Sequence, residues 1–183
     1  MDHYFNITIK PDAEMRENVL MNKVYTKLHK ALFSLKSDGI GVSFPSYRLK
    51  LGRELRIHGA IASLNDLQKL DWIGGLVGYC DISAVSIIPE NCQYRVISRK
   101  QANMTRSKLN RLIRRESISG DQIKEYKAKM FSKGIANPYF ELESESNGHK
   151  HRRYIQFGET SSVPVHGKFD FFGLSKTATV PWF

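Results

Sequence analysis

The order of strand and helix patterns in residues 1–91 restricts the fold of this chain more than any other feature of its sequence. The opening HYFNITIK (3–10) alternates apolar and polar residues, which is typical of a half-buried strand. Further patterns predict, in chain order, a helix at about 13–36, strands at 40–44 and 54–61, a helix from Ser63 to the Gly74–Gly75 pair, and a strand at about 79–88. Strand, helix, strand, strand, helix, strand is the order of a ferredoxin-like (βαββαβ) domain.

Both predicted helices of this half are amphipathic. We expect an inward stripe on the first helix at Met21, Val24, Tyr25, Leu28, Leu32 and Leu35, and on the second at Leu64, Leu67 and Leu70. Ser63 and Asp66 have the spacing of a weak capping box, so Ser63 is expected to begin the second helix. The pair Asp38-Gly39 is expected to end the first.

Residues 92–183 have the pattern of a second α+β domain. The expected elements are a strand at 93–101, a helix at 104–116 with Thr105 as its N-cap, a helix that begins at a Ser119–Gln122 capping box and ends near Gly134, and strands at 138–144, 152–158 and 168–175. The terminal VPWF is expected to be a packed tail. The sequence therefore predicts an α+β protein with domains at 1–91 and 92–183.

Positive charge is concentrated in the second half of the chain. Of the formal net charge of +10, residues 1–91 contribute +1 and residues 92–183 contribute +9. Eight basic residues and no acidic one lie between Arg95 and Arg115. On the predicted helix, Arg111, Arg114 and Arg115 fall on one side, with Leu109, Leu112 and Ile113 on the other. A solvated helix face normally mixes signs, so this arginine-rich helix indicates a polyanion, with nucleic acid favoured.

Several other classes of protein are not supported by the sequence. Cys80 and Cys92 do not form a disulfide framework or a CxxC metal motif. The start of the chain lacks the pattern of a signal peptide, and no apolar run approaches membrane-spanning length. Neither a GxSxG elbow nor a phosphate-binding GxxxxGK[ST] loop occurs. We therefore expect a cytoplasmic protein that is neither a serine hydrolase nor a nucleotide hydrolase.

Histidine is the candidate for chemistry on RNA. Metal-free RNA cleavage needs a base for the ribose 2′-OH, and a pKa near 6.5 suits histidine to that role. His29 is predicted at the edge of the apolar stripe of the first helix, half-buried and oriented by packing. From the helix pattern alone, a histidine that merely borders the core is the better supported interpretation. The His-x-His of residues 149–151 suggests either a metal site, for which no further ligand lies nearby, or an RNA contact.

Short motifs spread along the chain resemble one known family. MDHY at the start, KLHKALF around His29, GIGVSFP (39–45), ISRKQ (97–101), RLIRR (111–115), SESNGH (144–149), FGLSK and VPWF follow one another in a single order. Together they resemble the CRISPR repeat-processing endoribonucleases of type I-F systems, from the first residue to the last. The resemblance implies an enzyme that binds a repeat RNA hairpin and cuts at its 3′ base without metal or another cofactor. It further implies a 2′,3′-cyclic phosphate product, a monomer when free, and later residence with the other subunits of the type I-F surveillance complex.

The resemblance also assigns residues. His29 matches the catalytic histidine of the family, and Ser144 matches the serine that positions the attacking 2′-OH. The remaining matches are to RNA-binding positions: Arg99 and Gln101 at the foot of the stem, and Lys108, Arg111, Arg114 and Arg115 on the helix laid in the RNA major groove.

Two positions depart from the family pattern. His151 stands where the family has a phenylalanine that stacks on the terminal base pair of the stem. Phe172 stands where the family has a tyrosine that helps to orient the catalytic histidine, so His29 is expected to be less firmly held. Two alternatives remain at this point. One is an RNA-hairpin-binding scaffold without chemistry, and the other is an architectural DNA-binding protein with equal affinity for duplex DNA.

Overall fold

The computed structural model describes residues 1–101, 106–132, 137–143, 148 and 150–183. Across these ranges the chain is an α+β protein with two antiparallel sheets, as predicted. The strands are β1 (His3–Ile9), β2 (Gly41–Ser43), β3 (Glu54–Gly59), β4 (Cys80–Ile82), β5 (Ser86–Ile87), β6 (Gln93–Lys100), β7 (Tyr139–Glu143), β8 (Lys150–Ser161) and β9 (Thr179–Trp182). The helices are α1 (Glu17–Leu35), α2 (Ile61–Lys69), α3 (Arg106–Arg114) and α4 (Gly120–Ser132), with a 3₁₀ helix at Gly74–Tyr79. None of the described helices is long and apolar enough to cross a membrane.

The first sheet has the strand order β2-β3-β1-β4, and β5 also pairs with β1. All of its pairs are antiparallel, with Phe5 opposite Ile57 and Ile7 opposite Ile82. The apolar residues of β1 are at most 1% exposed, which confirms the alternation predicted for this strand. The strand predicted at 79–88 is instead two short strands. Between them the Ser83 hydroxyl accepts a hydrogen bond from the Asn6 N–H.

Helix α1 buries the predicted stripe. Met21, Val24, Tyr25, Leu28 and Leu32 are at most 2% exposed, and Leu35 is partly buried. The helix begins at Glu17 rather than near residue 13. The Asp12 carboxylate accepts hydrogen bonds from the N–H groups of Glu14 and Met15, so an Asx turn occupies the residues that precede it.

The prediction for the start of α2 was wrong. Ala60 occupies the N-cap and no side chain caps the helix, so Ser63 lies inside the first turn. Asp66 instead forms an ion pair with Lys69 at 2.9 Å. Leu64 and Leu67 are fully buried as predicted, but Leu70 is 44% exposed because the helix ends at Lys69. The Gly74–Gly75 pair begins the 3₁₀ helix and does not end α2.

The second sheet has the order β7-β8-β6-β9. Its last strand contains Val180, which is fully buried, so the terminal segment packs as predicted. Phe140 of β7 stacks on Tyr25 of α1 with ring centroids 3.6 Å apart, so the two sheets enclose α1 in one continuous core. Burial raises the pKa of Tyr25, whose hydroxyl therefore stays protonated.

Residues 168–175 form a turn and not the predicted strand. Apolar residues do alternate here, but Asp170 and Gly173 occupy the first and last positions of a tight turn. The Gly173 N–H donates to the Asp170 carbonyl at 2.8 Å, and Gly173 has φ +69°, a conformation that favours glycine. The Val42 N–H donates a hydrogen bond to the Gly173 carbonyl at 3.0 Å, which fixes the turn against the first sheet.

The chain divides into two compact units, one of residues 1–99 with 137–183 and one of residues 100–136. These units are defined by how closely the residues pack. They do not test the predicted domain boundary between residues 91 and 92, which stays a prediction. In the smaller unit the Ser119–Gln122 capping box is confirmed, since the Ser119 N–H donates to the Gln122 side chain at 2.9 Å and the Gln122 N–H to the Ser119 hydroxyl at 3.4 Å. Thr105 and Gly134 lie outside the described residues.

Candidate active site

His29 lies at the exposed border of α1, half-buried, as the helix pattern predicted. Its Nδ1 atom lies 2.8 Å from the main-chain oxygen of Phe171. A carbonyl oxygen only accepts hydrogen bonds, so Nδ1 must hold the proton in the neutral ring. The other ring nitrogen, Nε2, then has a free lone pair, which is the form that a general base requires.

Phe172 stacks on the His29 ring. The ring centroids are 3.6 Å apart and the ring planes differ by 11°. The guanidinium carbon of Arg153 lies 3.5 Å from the Phe172 centroid. Two groups cannot share one ring face at these distances, so Phe172 is held between the imidazole and the guanidinium. His29 is thus oriented by a stacked ring and a main-chain acceptor.

Arg153 is the most unusual charged residue at this site. Its side chain is 10% exposed, and its Nε atom has no hydrogen-bond partner in the described part of the chain. The Asp170 carboxylate lies 4.0 Å from Nη1, at the limit of an ion pair. Burial, and then the like charge of Arg99, lower the pKa of Arg153. Two neighbouring arginines with so little compensation favour an anionic ligand.

The turn at Asp170–Gly173 supports this stack. The Asp170 carboxylate accepts hydrogen bonds from the N–H groups of Phe172 at 2.9 Å and Leu174 at 3.0 Å. The Tyr25 hydroxyl donates to the main-chain oxygen of Phe172 at 2.8 Å from the opposite side. Three hydrogen bonds, two of them half-buried, therefore fix the main chain around the stacking ring.

The other predicted site residues fall into three groups. Arg99 is exposed at the end of β6, and His151 is exposed on β8, where alternation puts it on the same sheet face as Arg153. The residues in the smaller compact unit are all exposed: Gln101, Lys108, Arg111, Arg114 and Arg115. Ser144 and His149 lie outside the described residues.

On α3, which spans Arg106–Arg114, the apolar side is only partly covered. Leu109 is 3% exposed and Leu112 is half-buried, whereas Ile113 is 42% exposed. Arg115 follows directly after the last residue of the helix, and its N–H still donates to the Arg111 carbonyl at 3.1 Å. The three arginines therefore belong to one short exposed segment.

Arg95 belongs to the basic run but is half-buried against aromatic rings. Its guanidinium lies 4.9 to 5.3 Å from the ring centroids of Tyr47, Phe157 and Trp182, and its Nε–H donates to the Gly158 carbonyl. Cation–π contacts of this kind stabilise the second sheet. The other seven basic residues of the run are exposed.

Sequence reasoning did not single out Arg153, Phe171 or Asp170. Arg153 follows Arg152, and only the strand register separates the buried arginine from the exposed one. The Asp-x-x-Gly spacing at 170–173 was a usable turn signal that the apolar alternation obscured. Among the described residues, no group of three or more His, Cys, Asp or Glu side chains is arranged to hold a metal ion.

Comparison with known proteins agrees with the early resemblance. Residues 4–183 match the family model described as "CRISPR-associated protein (Cas_Csy4)". Two curated relatives, both named CRISPR-associated endonuclease Cas6/Csy4, are 35% identical to this chain. One is from Escherichia coli (strain UTI89 / UPEC) and one from Pseudomonas aeruginosa (strain UCBPP-PA14), and each match covers 100% of both chains. A solved structure of Thermus thermophilus Cse3 bound to RNA covers 99% of this chain and 100% of its own, but at 9% identity and a TM-score of 0.33 it supports no argument. The full-length match to the family model and to both relatives shows that this chain belongs to the Cas_Csy4 family of CRISPR-associated proteins.

Proposed function

We propose that this chain is a metal-independent endoribonuclease that cuts CRISPR repeat RNA at the 3′ base of a hairpin. Its curated relatives are named CRISPR-associated endonucleases. One observation supports the chemistry most directly: the hydrogen bond from His29 Nδ1 to the Phe171 oxygen leaves Nε2 free to accept a proton. No step of this reaction requires a metal ion or another cofactor.

His29 acts as the general base. Its Nε2 takes the proton of the ribose 2′-OH, and the 2′-oxygen attacks the adjacent phosphorus. The bond from phosphorus to the 5′-oxygen breaks, and that oxygen leaves as a hydroxyl after taking a proton from water. The products are an RNA with a 2′,3′-cyclic phosphate and an RNA with a 5′-hydroxyl. Arg153 and Arg99 supply positive charge near the stack, where negative charge grows on the phosphate.

Two further residues are proposed for the reacting end of the RNA. Ser144 positions the attacking 2′-OH, and support for this role is the family resemblance alone. His151 stacks on the terminal base pair of the stem, which is supported by its exposure on the sheet face that contains Arg153. An imidazole offers less stacking area than the phenylalanine of the family, so we expect a weaker hold on the foot of the stem.

The remaining contacts are assigned to the RNA stem. Arg99 and Gln101 read bases at its foot, and Lys108, Arg111, Arg114 and Arg115 contact the major groove near the stem end. Exposure of all six side chains supports this assignment. The A-form major groove is normally too deep and narrow for side chains, so we expect the helix to enter where the stem ends.

We also propose that residues 1–91 form a ferredoxin-like domain and residues 92–183 a second α+β domain. The antiparallel order β2-β3-β1-β4, with helices after β1 and β3, supports the first assignment. Each sheet is confined to one half of the chain, which supports the boundary.

In the cell, we propose a cytoplasmic protein that is monomeric when free, keeps its cleaved product and joins the other subunits of a type I-F surveillance complex. The family resemblance supports this proposal. Co-purification of the chain with a cleaved repeat RNA and the remaining subunits, after expression with a CRISPR array, is the measurement that checks it.

The central experiment is single-turnover cleavage of a repeat hairpin RNA in EDTA. Wild-type protein is expected to cut, and His29→Ala to bind with similar affinity without cutting. His166→Ala, a substitution at an exposed histidine outside the site, is the matched control and should cut as the wild type does. A hairpin with a 2′-deoxy sugar at the cut site should bind and resist cleavage. Comparable cleavage by His29→Ala would mean that the base is another residue.

An RNA-binding scaffold without chemistry is the second candidate, and the absence of a hydroxyl at Phe172 favours it. This candidate predicts tight hairpin binding with no cleavage in EDTA or in divalent metal. A third class, DNA-binding proteins, predicts equal affinity for duplex DNA of the same sequence, which a competition assay measures directly.

A further inference from the structure

Two exposed aromatic rings lie beside His29. Phe33 follows His29 by four residues on α1, one turn along the same helix face, and is 63% exposed. Phe171, in the turn, is 37% exposed and meets Phe33 edge to face, with ring centroids 5.3 Å apart. The main-chain oxygen of the same Phe171 accepts the hydrogen bond from His29. We call Phe33 and Phe171 the aromatic pair.

The aromatic pair does not belong to the buried core. The core residues of α1 lie on the other side of the helix and are nearly all inaccessible to water, from Leu20 to Leu32. Phe33 has nearly two thirds of its surface exposed to water, which is a large apolar area for one residue. Such surfaces commonly mark binding sites. The residues around Phe33 are polar: Lys30 and Ser34 on α1, and Lys36 directly after the helix, are all exposed.

The size and rim of this surface favour one kind of ligand. One aromatic ring with a second at its edge is a small platform, and its neighbours include basic side chains. A nucleobase has a flat face that stacks on an aromatic ring, and its phosphate favours a basic rim. A protein partner would normally require a wider apolar area.

Position along the RNA follows from the proposed cleavage site. Because the cut lies at the 3′ base of the hairpin, the nucleotide before the scissile phosphate is paired in the stem. The nucleotide after that phosphate is unpaired, and its base is free to stack. We propose that the aromatic pair is a subsite for the nucleobase that immediately follows the scissile phosphate. This inference rests on the proposed function.

The subsite would hold the leaving strand beside His29. Stacking fixes the nucleotide whose 5′-oxygen departs, and a fixed leaving group favours alignment of the attacking and leaving oxygens. Removal of one base from an aromatic platform is expected to slow cleavage by roughly tenfold, at the lower end of the loss typical of base stacking.

A substrate comparison tests the subsite. Two hairpin RNAs are prepared that differ only at the first nucleotide after the cut, which carries either a base or an abasic ribose. Wild-type protein should cut the abasic RNA about tenfold more slowly. Phe33→Ala should cut both RNAs at the same slow rate, and Phe33→Trp should restore the difference. Val19→Ala, which removes an exposed apolar side chain elsewhere on α1, is the matched control and should behave as the wild type does.

Each other outcome has a defined meaning. If Phe33→Ala slows both RNAs by the same factor, Phe33 only supports the fold near His29 and the subsite is rejected. Equal rates of wild-type cleavage on the two RNAs would also reject it, with the proposed function intact. If the wild type cuts neither RNA, both the proposed function and the subsite are overturned.

Discussion

At the scale of single residues, Phe172 lacks the hydroxyl of the tyrosine expected at this position, but its ring stacks on His29. The family resemblance implied a tyrosine hydroxyl that orients the catalytic histidine, whereas His29 here contacts the face of Phe172 and the Phe171 carbonyl. Arg153 occupies the opposite face, so the ring has little freedom to tilt. These contacts predict that His29 stays oriented without the tyrosine hydroxyl.

Substitution at position 172 can separate the two ways of orienting His29. Phe172→Leu removes the flat surface on both sides, and we expect single-turnover cleavage to fall about 10- to 100-fold, since small displacements of a catalytic group have effects of this size. Phe172→Tyr keeps the ring and should stay within about threefold of the wild type. A Leu variant as active as the Tyr variant would show that the stack does not hold His29 in its working position.

His58 is a buried residue with a predicted effect on stability rather than on cleavage. It is fully buried on β3, its Nε2 lies 2.8 Å from the Ser43 hydroxyl, and its Nδ1 has no partner in the described ranges. Burial, and then the charge of Arg56, lower the pKa of His58 to about 3. The folded protein therefore keeps His58 neutral at pH values where the unfolded chain binds a proton.

This difference predicts acid sensitivity. Between the ordinary histidine pKa of 6.5 and the folded value of about 3, the unfolded state binds one more proton. Stability attributable to His58 is thus intact above pH 6.5 and is lost as the pH falls, by up to about 1.4 kcal/mol per pH unit. Urea unfolding at pH 7, 5.5 and 4.5 should show a shallower pH dependence for His58→Gln than for the wild type. Parallel curves would contradict the prediction.

At the scale of elements, periodic apolar patterns were sufficient where burial decides the structure. The stripes of α1 and the alternation of β1 follow directly from which face meets the core, so their positions were predictable. Local side-chain hydrogen bonds explain the failures at Asp12 and Asp170 but not the one at α2. The Asx turn at Asp12 occupies residues that were predicted to be helical, so α1 begins later. Helix α2 begins after Ala60 and not at Ser63. Asp170 and Gly173 form a turn in a segment whose apolar alternation resembles a strand.

The candidate site was predictable only in part, for a related reason. His29 stood out because a helix border is visible in the periodicity of α1. Arg153 and Phe171 reach the site through the pairing of β8 and the shape of the turn, which depend on contacts between distant parts of the chain. The Asp-x-x-Gly spacing indicates the turn, but no local signal distinguishes Arg153 from Arg152 or shows that Phe171 meets His29.

The exposed arginines near the end of α3 should control binding and its salt dependence. Each phosphate contact contributes roughly 0.7–0.9 to the slope of log K against log salt. The double variant Arg114→Ala/Arg115→Ala should bind the hairpin more weakly, most of all at low salt, with a slope reduced by about 1 to 2. Lys124→Ala/Lys127→Ala removes the same charge from exposed positions of α4 and should change the slope less. Equal slopes for both variants would indicate a general charge effect instead of a docking helix.

At the scale of the whole molecule, the candidate site is assembled from both halves of the chain. His29 comes from α1, whereas Phe171 and Phe172 come from a turn near residue 172. The turn is fixed by the hydrogen bond from the Val42 N–H to the Gly173 carbonyl. Just before the turn, the Phe169 N–H donates to the Asp38 carbonyl at 2.9 Å. A substitution where the turn contacts the first sheet should therefore change both the cleavage rate and the stability of the fold.

Gly41 of β2 is the position at which this link can be tested. An added Cβ would lie 2.6 Å from Val180 Cγ1 and 2.9 Å from Phe169 Cε1, so a methyl group must displace β9, the segment before the turn, or both. Gly41→Ala should destabilise the protein by about 1–3 kcal/mol, as overpacked cores do, and lower Tm by roughly 2–4 °C per kcal/mol.

Cleavage by Gly41→Ala should fall even at temperatures where the variant is fully folded, because the displaced segment leads into the turn that orients His29. Gly39→Ala is the matched control, since a Cβ at Gly39 meets no atom within 4 Å and should leave both Tm and cleavage near wild-type values. A Gly41→Ala protein with a lowered Tm but undiminished cleavage would show that the turn tolerates movement of its support. Such a result would mean that α1 alone orients His29. The Phe172 stack would then be a consequence of packing and would not contribute to catalysis.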